Sequence, residues 1–92
     1  MTATAWIDAR IAARVARRAS YPAPQACHGA RFTRARQPGV VYLLTRAVNT
    51  PGGWRVTSFE GEVPTGHVFF AQLDDALHEL SLDWCDYIGG AS

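Results

Sequence analysis

The cysteine and histidine side chains are the groups in this chain that could act as a nucleophile or a base. Cys27 and His28 are adjacent, while His78 and Cys85 are seven residues apart, about two turns of a helix. A cysteine nucleophile usually takes its base from a distant part of the sequence, because neighbouring side chains rarely face each other. A small Cys-dependent hydrolase or transferase is therefore kept as a third hypothesis, and no catalytic residue is predicted.

The spacing of these residues and of His67 indicates neither a metal site nor a cofactor site. No close pair such as C-x₂-C is present, and a zinc site needs several such donors to converge. The glycine pairs at 52–53 and 89–90 fit turns and helix ends, and no phosphate-binding loop is present. We expect no metal, no cofactor and two free thiols, as in a reducing cytosol.

Acidic residues recur at helical spacing near the C-terminus. Asp75, Glu79, Asp83 and Asp86 are separated by four, four and three residues, and Leu82 lies among them. On a single helix they would line one side, which we call the acidic flank. Like charges at this spacing cost about 0.2–0.5 kcal/mol per pair. We therefore expect positive charge nearby, either within the chain or on a partner that binds this flank.

Arginine is concentrated in the N-terminal half of the chain, and the whole chain contains no lysine. Residues 1–46 hold eight of the nine arginines, and residues 47–92 hold seven of the eight acids. Arg10, Arg14, Arg17 and Arg18 would form a basic face on an N-terminal helix. This basic face could pair with the acidic flank, or it could bind phosphates of a nucleic acid. No helix-turn-helix, zinc-finger or base-stacking motif accompanies it.

Alanine content predicts a helix over residues 4–19, ended by Pro22 and Pro24. Its alanine-rich arc is expected to pack against a sheet or another helix. Residues 20–39 are irregular, with a possible short edge strand at 31–36. Apolar runs then predict three strands joined by turns at 50–53 and 61–66, the latter containing Pro64. These strands cover residues 40–47, 54–59 and 67–71.

The last segment has the clearest helical periodicity. Apolar residues share one arc from Leu73 to Ile88, and Asp74 stands in the first turn, where the helix dipole favours an acid. Gly89 then fits a left-handed helix stop. We predict one helix from Leu73 to Ile88. The alternation of residues 80–84 supports the alternative, a short helix followed by a strand.

These elements predict one α+β domain over residues 1–92. Its core would be an antiparallel meander of three or four strands, with the N-terminal and C-terminal helices packed on the sheet in the order α-β-β-β-α. Nothing approaches the length of a membrane-spanning segment, so we expect a cytoplasmic protein of a bacterial or phage-infected cell.

The leading hypothesis for function is non-enzymatic binding of another protein through the acidic flank and Leu82, by a monomer or a homodimer. The small, lysine-free, motif-free chain resembles, as a class, phage and mobile-element accessory proteins such as anti-CRISPR inhibitors. That resemblance implies occupation of a host protein's basic nucleic-acid groove by charge mimicry. The second hypothesis is a small nucleic-acid-binding regulator that uses the basic face.

Overall fold

The computed structural model describes residues 3–47 and 53–90. It confirms the α+β class, and no helix among these residues is long and apolar enough to cross a membrane. The elements follow one another as α1 (Ala3–Ala19), a 3₁₀ helix (Pro24–Ala26), β1 (Ala30–Arg34), β2 (Gln37–Arg46), β3 (Trp54–Glu60), β4 (Val63–Phe70), α2 (Leu73–Leu82) and β5 (Cys85–Gly90).

The strands form one antiparallel sheet in the order β4-β3-β2-β1-β5, five strands where the sequence predicted three or four. β1 occupies the segment in which a short edge strand was predicted. It lies between β2 and β5, so the edge position is wrong. The physical reason is the burial of alternate residues of β1. Ala30 and Phe32 are fully buried, which requires a neighbouring strand on each side of β1.

The long C-terminal helix predicted from the periodicity is wrong, because α2 ends at Leu82 and residues 85–90 form a strand. Trp84 adopts a left-handed backbone conformation, with φ of 57°, and turns the chain back toward the sheet. β5 then pairs with β1. That pairing satisfies backbone N–H and C=O groups of β1 next to the buried core, and this outweighs the side-chain periodicity.

The glycine predicted to stop the long helix lies inside β5 instead. Gly89 has φ of 141°, which is open to glycine alone at little cost. It follows an irregularity in the β1–β5 register, where Ile88 is the extra residue of a bulge. Gly89 therefore allows β5 to bend at the bulge and does not end a helix.

The third predicted strand is longer than expected. β4 runs from Val63 to Phe70, and the turn before it consists of Gly61, with φ of 63°, and Glu62. Pro64, expected in a turn, lies within β4, which is possible because β4 is an edge of the sheet. The turn predicted at 50–53 falls mostly outside the described residues.

The core lies between α2 and one face of the sheet. Ala76, Leu77 and Leu80 of α2 are buried in a cluster with inward-facing strand residues. Phe32 stands at its centre, with its ring 5.0 Å from that of Tyr21 and 5.7 Å from that of Tyr87 in edge-on contacts. α2 is thus the helix that closes this face.

α1 lies beside α2 and turns its arginines toward the domain. The alanines of its described part are exposed, as are Ile11 and Val15 at 50% and 63%. The expectation that the alanine-rich arc packs inward is therefore wrong. The physical reason is that Trp84 and two carboxylates provide specific partners for arginine, while alanine buries little apolar area.

Truncation of Phe32 tests the central position of β1. Phe32→Ala should lower the free energy of unfolding by about 3–5 kcal/mol, because it leaves a cavity in the core. Phe69→Ala, at a ring that is 52% exposed, should cost far less. Urea denaturation of both variants measures the difference. Equal costs would mean that β1 does not lie in the core.

Candidate functional site

The acidic flank divides between two elements of the structure. Asp75 and Glu79 are exposed on α2, and Asp83 is the C-cap residue of this helix. Leu82 ends α2 and is partly buried, whereas Asp86 belongs to β5. The prediction of four carboxylates on one helix is therefore wrong for Asp86. The other three follow one another at four-residue spacing.

Asp86 is neutralised within the chain. Its Oδ1 accepts a hydrogen bond from Nε of Arg17 at 2.8 Å. The guanidinium carbon of Arg17 also lies 4.8 Å from the ring centre of Trp84. Internal pairing, one of the two alternatives for the flank, applies to this carboxylate.

The other arginines of the basic face also contact the domain. The guanidinium of Arg10 lies 5.1 Å from the ring centre of Trp84, and Nη2 of Arg18 lies 3.5 Å from Oδ1 of Asp74. Nε of Arg14 is buried without a hydrogen-bond partner among the described residues. The basic face is therefore engaged with the domain at several points.

A cleft opens where α2 leaves the sheet uncovered, and we call it the α2–sheet cleft. It measures about 440 Å³ and extends from β2 to β4. Val56, Val68 and Phe70 of the sheet and Ala76 and Leu80 of α2 form its apolar walls. A concave apolar site with a few polar groups is the usual form of a ligand-binding site.

Two carboxylates of the acidic flank stand at the rim of this cleft. Glu79 and Asp83 both line it and both are exposed. Neither has a cation within 4.0 Å among the described residues. A hydrogen bond with Tyr42 raises the pKa of Arg34, and the charge of Asp83 raises it further. Asp83 therefore lies within electrostatic range of Arg34, although the two form no ion pair.

Hydroxyl groups complete the polar lining. Tyr42 and Ser58 line the cleft, and Oγ of Ser58 lies 2.8 Å from Oγ1 of Thr65. Ser58 also donates to the carbonyl of Gly66 at 3.2 Å. His67 also lines the cleft. No hydrogen bond joins a histidine to Ser58 within the described residues.

The cysteines are placed as structural thiols. Cys27 and Cys85 are fully buried and not bonded to each other. The thiol of Cys27 contacts the carbonyls of Pro22 and Ala23 at 3.6 and 3.4 Å. Nδ1 of His28 accepts a hydrogen bond from the backbone N–H of Arg46 at 3.1 Å. Cys27 and His28 therefore have separate partners.

The residues that the sheet contributes to the cleft were not predicted from the sequence. Tyr42, Ser58, Gly66 and Val68 come from three strands, and no short motif joins them. The alternation in β3 predicts which residues face the core, but not that α2 stops short of covering them. The described residues bring no three metal-ligating side chains together.

No family model, curated protein or solved structure matches this chain.

Neutralisation of Asp86 tests its assignment as a structural carboxylate. Asp86→Asn should lower the free energy of unfolding by about 0.5–1 kcal/mol, because it removes a partly buried ion pair. Glu79→Gln, at an exposed residue beyond the first turn of α2, should change it by less than about 0.5 kcal/mol. Chemical denaturation at low salt makes the comparison. Equal effects at the two positions would contradict the assignment.

Ionisation of the buried thiols predicts how the stability of the fold depends on pH. Burial raises the pKa of Cys85 from 9.0 to about 12 and also raises that of Cys27. In the unfolded chain these thiols ionise near their ordinary pKa of about 9, so above that pH the folded state binds more protons than the unfolded state. Stability should be constant between pH 7 and 8.5 and fall as pH rises from about 9 toward 11, by at most about 1.4 kcal/mol per pH unit for each thiol.

Two measurements check this prediction. Denaturant titrations at a series of pH values give the stability profile, to which Tyr21 adds at high pH because burial raises its pKa too. Labelling with a disulfide reagent at pH 8 should proceed no faster than unfolding. Rapid labelling of the folded protein would instead restore the Cys-dependent enzyme hypothesis.

Proposed function

We propose that this protein is non-enzymatic and binds a basic segment of another protein in the α2–sheet cleft. One observation carries the proposal: Glu79 and Asp83 have no ion-pair partner among the described residues, and they stand at the rim of a cleft whose walls are apolar. The cysteines, the candidates for catalysis, are buried away from this cleft, which argues against an enzyme.

The cleft suits the side chain of arginine or lysine. These side chains bury an apolar stem while their charged end stays near solvent. A guanidinium placed beside Glu79 would form a charge-assisted hydrogen bond, worth about 1.5–3 kcal/mol. The apolar walls would hold the stem and an adjacent apolar residue of the partner. Charge and shape therefore select the same ligand.

Further acidic and apolar residues lie on the surface around the cleft. Asp75 adds a third exposed carboxylate along α2, and Leu82 offers a partly buried apolar contact beside it. Apolar side chains within a polar rim are typical of interface centres. A basic partner surface could be one that otherwise holds nucleic acid, and its occupation would inhibit the partner. The proposal includes the bacterial cytoplasm as its setting, which the two free thiols support.

Nucleic-acid binding by the basic face receives less support. Arg17 pairs with Asp86, Arg18 with Asp74, and Arg10 lies over Trp84. Binding of phosphates by these arginines would break contacts that hold α1 to the domain.

A titration with two small peptides tests the cleft directly. Acetyl-Leu-Arg-Leu-amide should shift the backbone NMR signals of Ser58, Gly66 and Val68, whereas acetyl-Leu-Gln-Leu-amide should not. The double variant Glu79→Gln/Asp83→Asn should weaken binding of the arginine peptide about tenfold or more, because it removes the charge-assisted bond. The double variant Asp8→Asn/Glu62→Gln changes the net charge equally at sites remote from the cleft and should bind normally.

A steric variant separates shape from charge. A Cβ at position 66 would meet only Oγ of Ser58, at 3.8 Å, so Gly66→Val fits the fold and projects over the cleft. It should abolish peptide binding without loss of stability. The wild-type protein and these variants can then serve as baits in cell extract. A partner retained equally by the cleft variants and the control would contradict the proposal.

A further inference from the structure

One face of the sheet has no helix packed on it within the described residues. α2 covers the face that carries Phe32, Leu44 and Val56, all buried. Side chains alternate along strands, so the intervening residues point to the opposite face. We call this the open face, and the cross-strand register aligns its residues. They include Arg31, Val41, Leu43, Arg55, Thr57, Phe59, His67 and Phe69.

The open face is more apolar than a solvated face of an antiparallel sheet, on which polar residues are expected. Val41, Leu43 and Phe59 form, with Arg31, a shallow depression of about 390 Å³. Phe69 is 52% exposed. Val41, Leu43 and Phe59 are partly buried. Apolar groups that remain accessible on one surface are typical of binding sites.

The charge of the open face indicates which class of ligand it can bind. Arg31 and Arg55 are exposed on this face, and neither has an acidic partner within 4.0 Å among the described residues. Asp86, whose register places it opposite Thr33, is paired with Arg17. The face thus presents uncompensated positive charge, which complements an anion. Two copies of the face would set these arginines against each other.

Aromatic rings are spread along the same surface. The rings of His67 and Phe69 lie 5.0 Å apart in an edge-on contact. Phe69 pairs with Arg55, and Phe59 stands four residues further along β3, about 13 Å at the rise of a strand. Rings spread over such a distance, with arginines on the same face, can stack bases while the arginines contact phosphates.

We propose that the open face binds single-stranded nucleic acid. Bases would stack on Phe59, Phe69 and His67, and phosphates would contact Arg31 and Arg55. A duplex would be excluded because its bases are already stacked and paired. This site lies on the opposite face of the sheet from the α2–sheet cleft and shares only His67, on the edge strand β4, with the lining of that cleft. It does not use the basic face of α1.

Fluorescence anisotropy with labelled oligonucleotides tests the proposal. The full chain should bind a twelve-residue oligothymidine and oligouridine and should bind a duplex of the same length more weakly. Two phosphate contacts predict a salt slope of about −1.4, so that affinity falls about sevenfold between 50 and 200 mM salt.

Substitutions on the face locate the site. Phe69→Ala should weaken binding at least about fivefold, the lower end expected for one stacked base. Arg55→Gln should weaken binding and reduce the salt slope by about half. Ile11→Ala, at another exposed apolar residue, and Arg36→Gln, at an exposed arginine in the β1–β2 turn, are matched controls that should bind normally. Glu79→Gln/Asp83→Asn should also bind normally, which separates this site from the cleft.

Three results would overturn the proposal. The first is the absence of binding at 50 mM salt. The second is a loss with Arg10→Gln that equals the loss with Arg55→Gln, which would move the site to α1. The third is a dimer in sedimentation experiments that Phe69→Ala dissociates, since the occupant of the open face would then be a second copy of the chain.

Discussion

The pairing of β5 with β1 is the interaction on which the rest of the structure depends. It places β1 inside the sheet, so that Ala30 and Phe32 can be fully buried. It requires α2 to end at Leu82 and the chain to turn at Trp84. The hydroxyl of Tyr21 donates to the carbonyl of Cys85 at 2.6 Å, which ties the segment after α1 to the same strand. Both ends of the described chain are thereby joined through β5.

The same pairing decides the distribution of charge. It moves Asp86 away from α2 and toward α1, where Arg17 neutralises it, and it sets Trp84 where Arg10 and Arg17 lie over its ring. Positive charge that seemed available to a partner therefore holds α1 in place. Because α2 is short, Glu79 and Asp83 remain at its exposed end, above the part of the sheet that the helix does not reach.

A single layer of helix on a five-stranded sheet leaves two different surfaces. The side with α2 carries an apolar cleft with an acidic rim, suited to a basic side chain. The open face carries aromatic rings and two arginines that have no acidic partner in the part of the chain that the structure describes. This is the basis for proposing an anionic single strand as its ligand. The division of charge between the two halves of the sequence corresponds only in part to these surfaces, since Arg17 and Arg18 are used internally.

The sequence by itself determined the α+β class, α1, and the strands β2 and β3, because alanine content and runs of β-branched and aromatic residues act locally. It also placed Glu79 and Asp83 on the exposed side of α2. Only the tertiary structure decided where α2 ends, that Asp86 pairs with Arg17, and that the arginines of α1 face the domain. The helical period of residues 73–88 favoured one long helix over the alternation of residues 80–84, and it was the free edge of β1, which a local pattern does not contain, that decided for a strand. The cleft and the open face likewise arise from how far one helix covers the sheet, a matter of packing between distant segments.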